Sequence, residues 1–251
     1  MPVIKYKIIS SGSVGNAVKL TFPNGIKMMI DIGLSFKALK KELEDCNIVF
    51  ISHIHADHVN IGCYGQLRKQ FPWVKVLASQ EVNEFVQAKR KPPVDIVVDH
   101  RTHIDVSGVS FTFLDAPHEV KNLGIIGDYE GEHFLYATDL MTLYAFEEYL
   151  DDTGDKIDLL LLEANYNAKV IGFMEYMKIH NGYDAYSNGS YRHLSTRANN
   201  EFAQKYLAPD GVSIHLHQSG SYYSYANLKE KFNLSDEHDL EFEIYCKERS
   251  D

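Results

Sequence analysis

His53-Ile54-His55-Ala56-Asp57-His58 places four potential metal ligands within six residues, in a chain where histidine accounts for only 12 of 251 positions. The segment just before it, Asn47-Ile48-Val49-Phe50-Ile51-Ser52, is short and almost wholly apolar, as a buried strand should be. The ligand cluster therefore sits at a strand end. On extended backbone His53 and His55 share one side. The chain must then turn, which lets Asp57 and His58 face a neighbouring ion. A two-metal hydrolytic site needs imidazole or carboxylate ligands on each ion and an open position for water. Its ions lie about 3.5–4 Å apart, so a compact loop with several inward ligands is a sound start.

Outward from this motif, the apolar pattern alternates between strand and helix. Val3 to Ser10, Ala17 to Phe22 and Ile26 to Asp31 read as strands, separated by Gly12, Gly15 and Pro23-Asn24-Gly25. Phe36 to Asp45, Tyr64 to Phe71 and Ser79 to Lys89 have helical periodicity, with strands at Val74 to Ala78 and Ile96 to Asp99. A second set follows: strands Val109 to Asp115, Gly124 to Tyr129, His133 to Thr138 and Ile157 to Glu163, and a helix from Leu143 to Leu150. His193 opens a helix to about Leu207. Val212 to Leu216 reads as a strand, Tyr225 to Phe232 as a helix and Leu240 to Cys246 as a last strand. Two sheets packed face to face with helices outside, in one domain over 1–251, account for this order. The stretch 165–192, rich in Gly, Asn, Ser and Tyr, fits least well and reads as an excursion from the core.

Further ligands should come from other strand ends, and three candidates do. His118 ends one strand, in Ala-Pro-His-Glu. Asp139 ends another, in Tyr-Ala-Thr-Asp-Leu. The third strand ends in His215-Leu216-His217, where both histidines share one face and periodicity does not choose between them.

The bulk numbers bound the function. Hydrophobic residues make up 45% and charged residues 24%, ordinary for a globular protein. No apolar run approaches the roughly 20 residues that span a bilayer. The start, Met1-Pro2-Val3-Ile4-Lys5-Tyr6, lacks the layout of a signal peptide, so the expected location is the cytoplasm, without a membrane partner. Cys46, Cys63 and Cys246 form no CxxC pair and read as reduced thiols. A formal net charge of −10 disfavours long polyanions, because tight duplex binding neutralises several phosphates.

Taken together, the HxHxDH motif, a later His, an Asp after a hairpin and a C-terminal His resemble the metallo-β-lactamase-fold hydrolases, over nearly the whole chain. The resemblance implies an α/β fold, an αββα four-layer sandwich of two mixed sheets with outer helices. It implies two zinc ions, with manganese or iron as alternatives in mixed His/Asp ligation. His53, His55 and His118 would hold one ion, Asp57, His58 and His217 the other, and Asp139 would bridge them. His217 is chosen over His215 because His217-Gln-Ser resembles the His-x-Ser that carries the last ligand in the nuclease-like branch. Asp31, in Ile30-Asp31-Ile32-Gly33, matches the family's aspartate-glycine element and reads as a support behind the ligands.

Since the fold hosts many chemistries, it selects no substrate by itself. Two metals suit in-line displacement at phosphorus. Leu162-Glu163-Ala164-Asn165 and His193-Leu194-Ser195-Thr196 resemble elements of the ribonuclease Z-like branch, although Leu194 is an extra residue in the second. By that resemblance Asp57 orients the attacking water, His193 protonates the leaving oxygen or contacts phosphate, and Glu163 orients His193 or the water. Ser11-Gly12-Ser13-Val14-Gly15-Asn16 resembles an element of YycJ/WalJ-like exonucleases. The absence of a long basic arm, the acidity, and Tyr183, Tyr186, Tyr191, Tyr222, Tyr223 and Tyr225 resemble the phage anti-Pycsar enzymes. These are homodimers that destroy cyclic mononucleotides with a loop completing the neighbour's site, for which 165–192 is the candidate. The leading expectation is a phosphodiesterase for a small 3′,5′-cyclic nucleotide, working in the host cytoplasm if phage-encoded. The alternative is a metal-dependent nuclease, for which nucleic acid is the partner. A non-catalytic nucleotide-binding protein is a third class, disfavoured by the complete ligand set.

Overall fold

The computed structural model describes residues 3–182 and 187–249. The first sheet comprises β1 (Lys5–Ser10), β2 (Ala17–Thr21), β3 (Lys27–Ile30), β4 (Ile48–Ile51), β5 (Lys75–Ala78) and β6 (Ile96–Val97), in that spatial order. β1 to β3 pair antiparallel and β3 to β6 parallel. The second sheet holds β7 (His103–Val106), β8 (Val109–Asp115), β9 (Leu123–Tyr129), β10 (Glu132–Ala137), β11 (Ile157–Glu163) and β12 (Leu207–Leu216), with β12 at one edge and β7 at the other. Here β7 to β10 are antiparallel and β10 to β12 parallel. Both sheets are mixed, as expected.

Side-chain alternation shows why the strands read as nearly continuous apolar runs. Met28, Ile30, Ile48 and Phe50 point between the sheets, meeting Phe111, Phe113, Phe134, Leu159 and Leu161. Their neighbours Met29, Val49 and Ile51 point outward under α1 (Phe36–Leu43), α2 (Ile61–Gln70) and α3 (Gln80–Ala88). On the far side Leu135, Leu160 and Leu162 lie under α4 (Tyr144–Thr153) and α6 (Thr196–Tyr206). Strands covered on both faces carry no polar stripe. Phe50 and Phe113, ring centroids 5.1 Å apart, join the two sheets just below the histidine motif; truncating either costs about 3–5 kcal/mol by the usual core cavity effect.

Two expectations need correction and one gains detail. Leu240 to Cys246 is not a strand but part of α8 (Asp236–Glu248). Its alternation of apolar and acidic residues imitates period two. However, Phe242, Tyr245 and Cys246 fall on one helical face and pack against α5 (Ala168–Asn181) and α7 (Tyr225–Phe232). Asp236, Glu237 and Asp239 in its first turn suit the positive end of a helix. Second, the excursion 165–192 is largely helical: α5 buries Val170, Ile171, Phe173, Met174 and Met177 against α7 and α8. A 3-10 turn, Ser187–Arg192, follows it. Tyr183 and Tyr186 lie outside the described residues. Third, His193 does not open a helix. α6 begins at Thr196, capped by Ser195 Oγ accepting from the Ala198 N–H, because serine is the better cap.

Candidate metal centre

The motif residues cluster at the ends of β3, β4, β8, β10, β11 and β12, all of which run out on the same side of the two sheets. Ligand atoms of His53, His55 and His118 lie within 4.8 Å of one another, as do those of Asp57, His58 and His217, and those of His53, His58 and Asp139. All seven residues expected to hold metal are thus gathered in overlapping groups. His215 is elsewhere: its Nδ1 meets the Tyr223 hydroxyl at 3.2 Å and its Nε2 meets Asn200 Oδ1 at 3.2 Å.

Two buried carboxylates stand behind the imidazoles. Asp31 accepts from the Ser52 N–H at 2.9 Å, from the Tyr136 hydroxyl at 2.9 Å and from His58 Nδ1 at 2.7 Å. Ser52 Oγ donates to Asp31 and so accepts from His53 Nδ1, 3.0 Å away. Both rings are thus held at Nδ1 and turn Nε2 toward the centre. On the other side Glu163, fully buried, takes His193 Nδ1 at 2.8 Å and His217 Nδ1 at 3.1 Å on one oxygen. Its second oxygen accepts the N–H groups of Leu140 and Leu194 at 3.1 and 3.0 Å. Carboxylates behind ligating histidines set tautomer and ring direction.

Charge in the cluster is strongly perturbed. At His58 burial works against the imidazolium, but Asp31 and Asp139 outweigh it and hold the pKa well above the usual value. At His217 burial is likewise overcome, by Asp57, Glu163 and Asp139, and the pKa is raised to about 10. His53 and His118 go the other way: burial lowers both. Burial would raise the carboxyls of Asp57, Asp139 and Glu163, yet the surrounding histidines keep all three below their ordinary range.

Metal ions fit these residues on a direct observation. His53 Nε2, His118 Nδ1, Asp139 Oδ2 and His217 Nε2 are buried and make no hydrogen bond, although His58 Nε2 lies only 2.7 Å from Asp139 Oδ2. Buried polar atoms are nearly always satisfied; these four exceptions converge on one point and are all ligand types. The group Asp139, Glu163, His193 and His217 is equally close-knit, but both Glu163 oxygens are already engaged, so hydrogen bonds account for it.

The backbone is adapted to this purpose. Asp31, Asp139 and His217 have φ of +62°, +56° and +51°, left-handed values that cost a non-glycine residue roughly 1–2 kcal/mol. Gly33 permits a close crossing: a Cβ there would lie 1.7 Å from the Asp57 carbonyl oxygen. Asn16, from the opening glycine-rich loop, lies against the motif, its Nδ2 2.8 Å from His58 Nε2 and 3.4 Å from Asp57 Oδ2. Sequence reasoning flagged that loop but assigned no role to Asn16, and it overlooked Ser52, Tyr136, Asn122 and Asn199. Only burial and partners, not residue type, distinguish these from ordinary polar residues.

Comparison with known proteins agrees with this architecture. A beta-lactamase superfamily domain matches residues 30–182, more than half of the chain. No curated protein sequence matches. Among solved structures, the metallo-beta-lactamase fold protein YhfI from Bacillus subtilis is similar with a TM-score of 0.65 at 16% identity, covering 91% of this chain and 90% of that one. Human tRNase Z, short form, gives 0.61 at 15% identity over 85% and 92% of the two chains. A diphosphatase from the PhnP family gives 0.57 at 14% identity over 92% and 91%. Fold, ligand cluster and family match agree, and the chain belongs to the beta-lactamase superfamily, with the metallo-β-lactamase fold of metal-dependent hydrolases.

Proposed function

We propose that the protein is a two-metal phosphodiesterase whose substrate is a small 3′,5′-cyclic mononucleotide. The observation that carries the phosphodiester reading is Glu163, buried between His193 and His217 and bonded to Nδ1 of each. One carboxylate thereby orients a histidine of the ligand cluster and a second histidine beside it whose side chain is 19% exposed. In this reading His53, His55 and His118 would hold one ion and Asp57, His58 and His217 the other, with Asp139 available to both. When bound, the ions supply an activated water and neutralise charge developing on the phosphoryl oxygens. Zinc suits the imidazole-rich set.

The chain's own groups do the rest. Glu163 accepts the His193 Nδ1–H, so that a second proton, carried on Nε2 by the imidazolium, can pass to the departing ribose oxygen. That role is worth about 10²–10⁴ in rate for a well-placed acid. Asp57, a quarter exposed in its side chain, is the carboxylate open enough to orient the attacking water. Two of the structurally similar proteins, a tRNase Z and a diphosphatase, are named for reactions at phosphorus, which supports the reaction class.

A small substrate is supported by the net charge of −10 and by the surroundings of His193. Arg192, paired with Glu119, and Tyr191, 52% exposed, adjoin it in sequence, and the tyrosine has a ring on which a base can stack. No helix among the described residues is long and apolar enough to cross a membrane. The test is incubation of the zinc- or manganese-loaded protein with purine and pyrimidine 3′,5′-cyclic nucleotides, and separately with DNA and RNA, beside a His55→Ala control. Linear mononucleotide formed only by the unsubstituted protein supports the proposal. Nucleic-acid cleavage without cyclic-nucleotide turnover refutes it in favour of a nuclease.

A further inference from the structure

Three site residues share a feature that metal ligation does not explain. Each has the peptide planes on both sides of its Cα held by other side chains. Asn122 Nδ2 donates to the carbonyls of Thr138 and Asp139, at 2.8 Å each. Those carbonyls belong to the two planes flanking the Asp139 Cα. Peptides are rigid, so holding both planes sets φ and ψ and therefore the direction of the side chain. Asn199 Nδ2 does the same for Glu163, donating to the carbonyls of Leu162 at 3.1 Å and Glu163 at 2.8 Å. At His217 the work is divided: its N–H donates to Ser11 Oγ at 2.7 Å, and its carbonyl accepts from Asn165 Nδ2 at 2.8 Å.

The residue types match this task. An amide nitrogen carries two N–H donors on one atom, which neither a hydroxyl nor a carboxylate offers. Asn122, Asn165 and Asn199 are all buried, yet the Oδ1 atoms of Asn122 and Asn199 have no hydrogen-bond partner. An amide that leaves its acceptor unused in the interior is present for its donors. Two of the three residues so held, Asp139 and His217, are on left-handed backbone, which relaxes to ordinary torsions unless the surroundings prevent it.

We propose that Asn122, Asn199 and the Ser11–Asn165 pair are positioning residues that lock the torsions of Asp139, Glu163 and His217, so that the metal site is formed before any ion binds. The proposal rests on the two-metal reading above and on no particular substrate. A merely structural role predicts lost stability with normal metal binding; a positioning role predicts lost metal affinity out of proportion to stability.

The experiment measures zinc affinity by chelator competition, the visible spectrum of the cobalt-loaded protein and the melting temperature of the metal-free protein. It compares the unsubstituted chain with Asn122→Ala, Asn165→Ala and a packing control, Leu150→Ala, buried under the second sheet. Asn122→Ala should lower zinc affinity about 10–100-fold and change the cobalt bands, as losses behind the ligands do, while Leu150→Ala stays within about twofold whatever its melting temperature. Asn165→Ala, which keeps the Ser11 contact, should fall between them, and it carries the test alone if Asn122→Ala does not fold. Asparagine variants that melt early but bind zinc and colour cobalt like the unsubstituted protein would overturn the positioning role only. Failure of the unsubstituted protein to bind zinc tightly would overturn the two-metal reading and this proposal with it.

Discussion

Glu163→Gln keeps the size of a buried side chain and removes its charge, and the outcome can be worked through atom by atom. The carboxylate accepts four hydrogen bonds, from Leu140 N, Leu194 N, His193 Nδ1 and His217 Nδ1. Glutamine has one oxygen and one NH2. The two backbone donors cannot change, so the oxygen must face them and the NH2 must face the histidines. At about 1.5–3 kcal/mol for a bond to a charged group, losing the two histidine bonds costs about 3–6 kcal/mol. Against a typical domain stability of about 5–15 kcal/mol the variant still folds, but closer to its limit. The imidazoles can recover those bonds only by moving their protons to Nε2. That blocks the His217 atom available to a metal and leaves His193 bonded to a neutral amide, with no carboxylate to support the charge of a ring protonated on both nitrogens. The pH response follows. The Glu163 carboxyl is depressed because the histidine bonds outweigh burial. Its contribution is therefore present above the ordinary carboxylate pKa and lost as pH falls through the lowered native value, an acid-side dependence that the glutamine variant lacks. Urea unfolding and hydrolysis of a 3′,5′-cyclic nucleotide, whose ribose oxygen needs a proton to leave, at saturating zinc read both effects. A rate within about tenfold of the unsubstituted protein, short of the 10²–10⁴ expected for a positioned acid, would refute the assignment of Glu163 and His193.

Other outcomes follow from the same geometry. Because His58 and His217 carry raised pKa values in the metal-free protein, the latter about 10, metal must displace their protons. Zinc affinity should climb with pH toward 10, and calorimetry at pH 7 in buffers of different ionisation enthalpy should show proton release; buffer-independent heats would contradict this. His217→Ala should lose about 10–100-fold or more in zinc affinity, whereas His215→Ala, which only breaks contacts to Tyr223 and Asn200, should bind zinc normally; equal losses would mean that the ligand choice is wrong. Gly33→Ala should leave a protein without its normal zinc content, since its Cβ would overlap the Asp57 backbone; normal content by elemental analysis would show that the crossing can relax.

Much of this was readable in the amino-acid order, for a physical reason. β4 and β11 are apolar on both faces because each lies between two layers, so they show as unbroken runs, Ile48 to Ile51 and Leu159 to Leu162. Ligands follow those runs directly because strand ends deliver them. α8 was not readable, since Leu240-Glu-Phe-Glu-Ile-Tyr-Cys alternates like a strand and only its tertiary partners, α5 and α7, select the helical face. The start of α6 is set by Ser195, two residues after His193, because a serine hydroxyl caps a helix better than an imidazole. The supports Asn122 and Asn199 were invisible for a different reason: a buried asparagine and a surface one are the same letter, and only their partners 16 to 37 residues away distinguish them.

The central claim is that His53 to His58 begin a two-metal centre that cleaves phosphodiesters. Zinc titration of the metal-free protein during turnover of bis-p-nitrophenyl phosphate measures both at once. The rate should rise with added zinc, level off at two equivalents per chain and be absent in His55→Ala. A plateau at one equivalent, or no phosphodiester turnover at any zinc level, would contradict it.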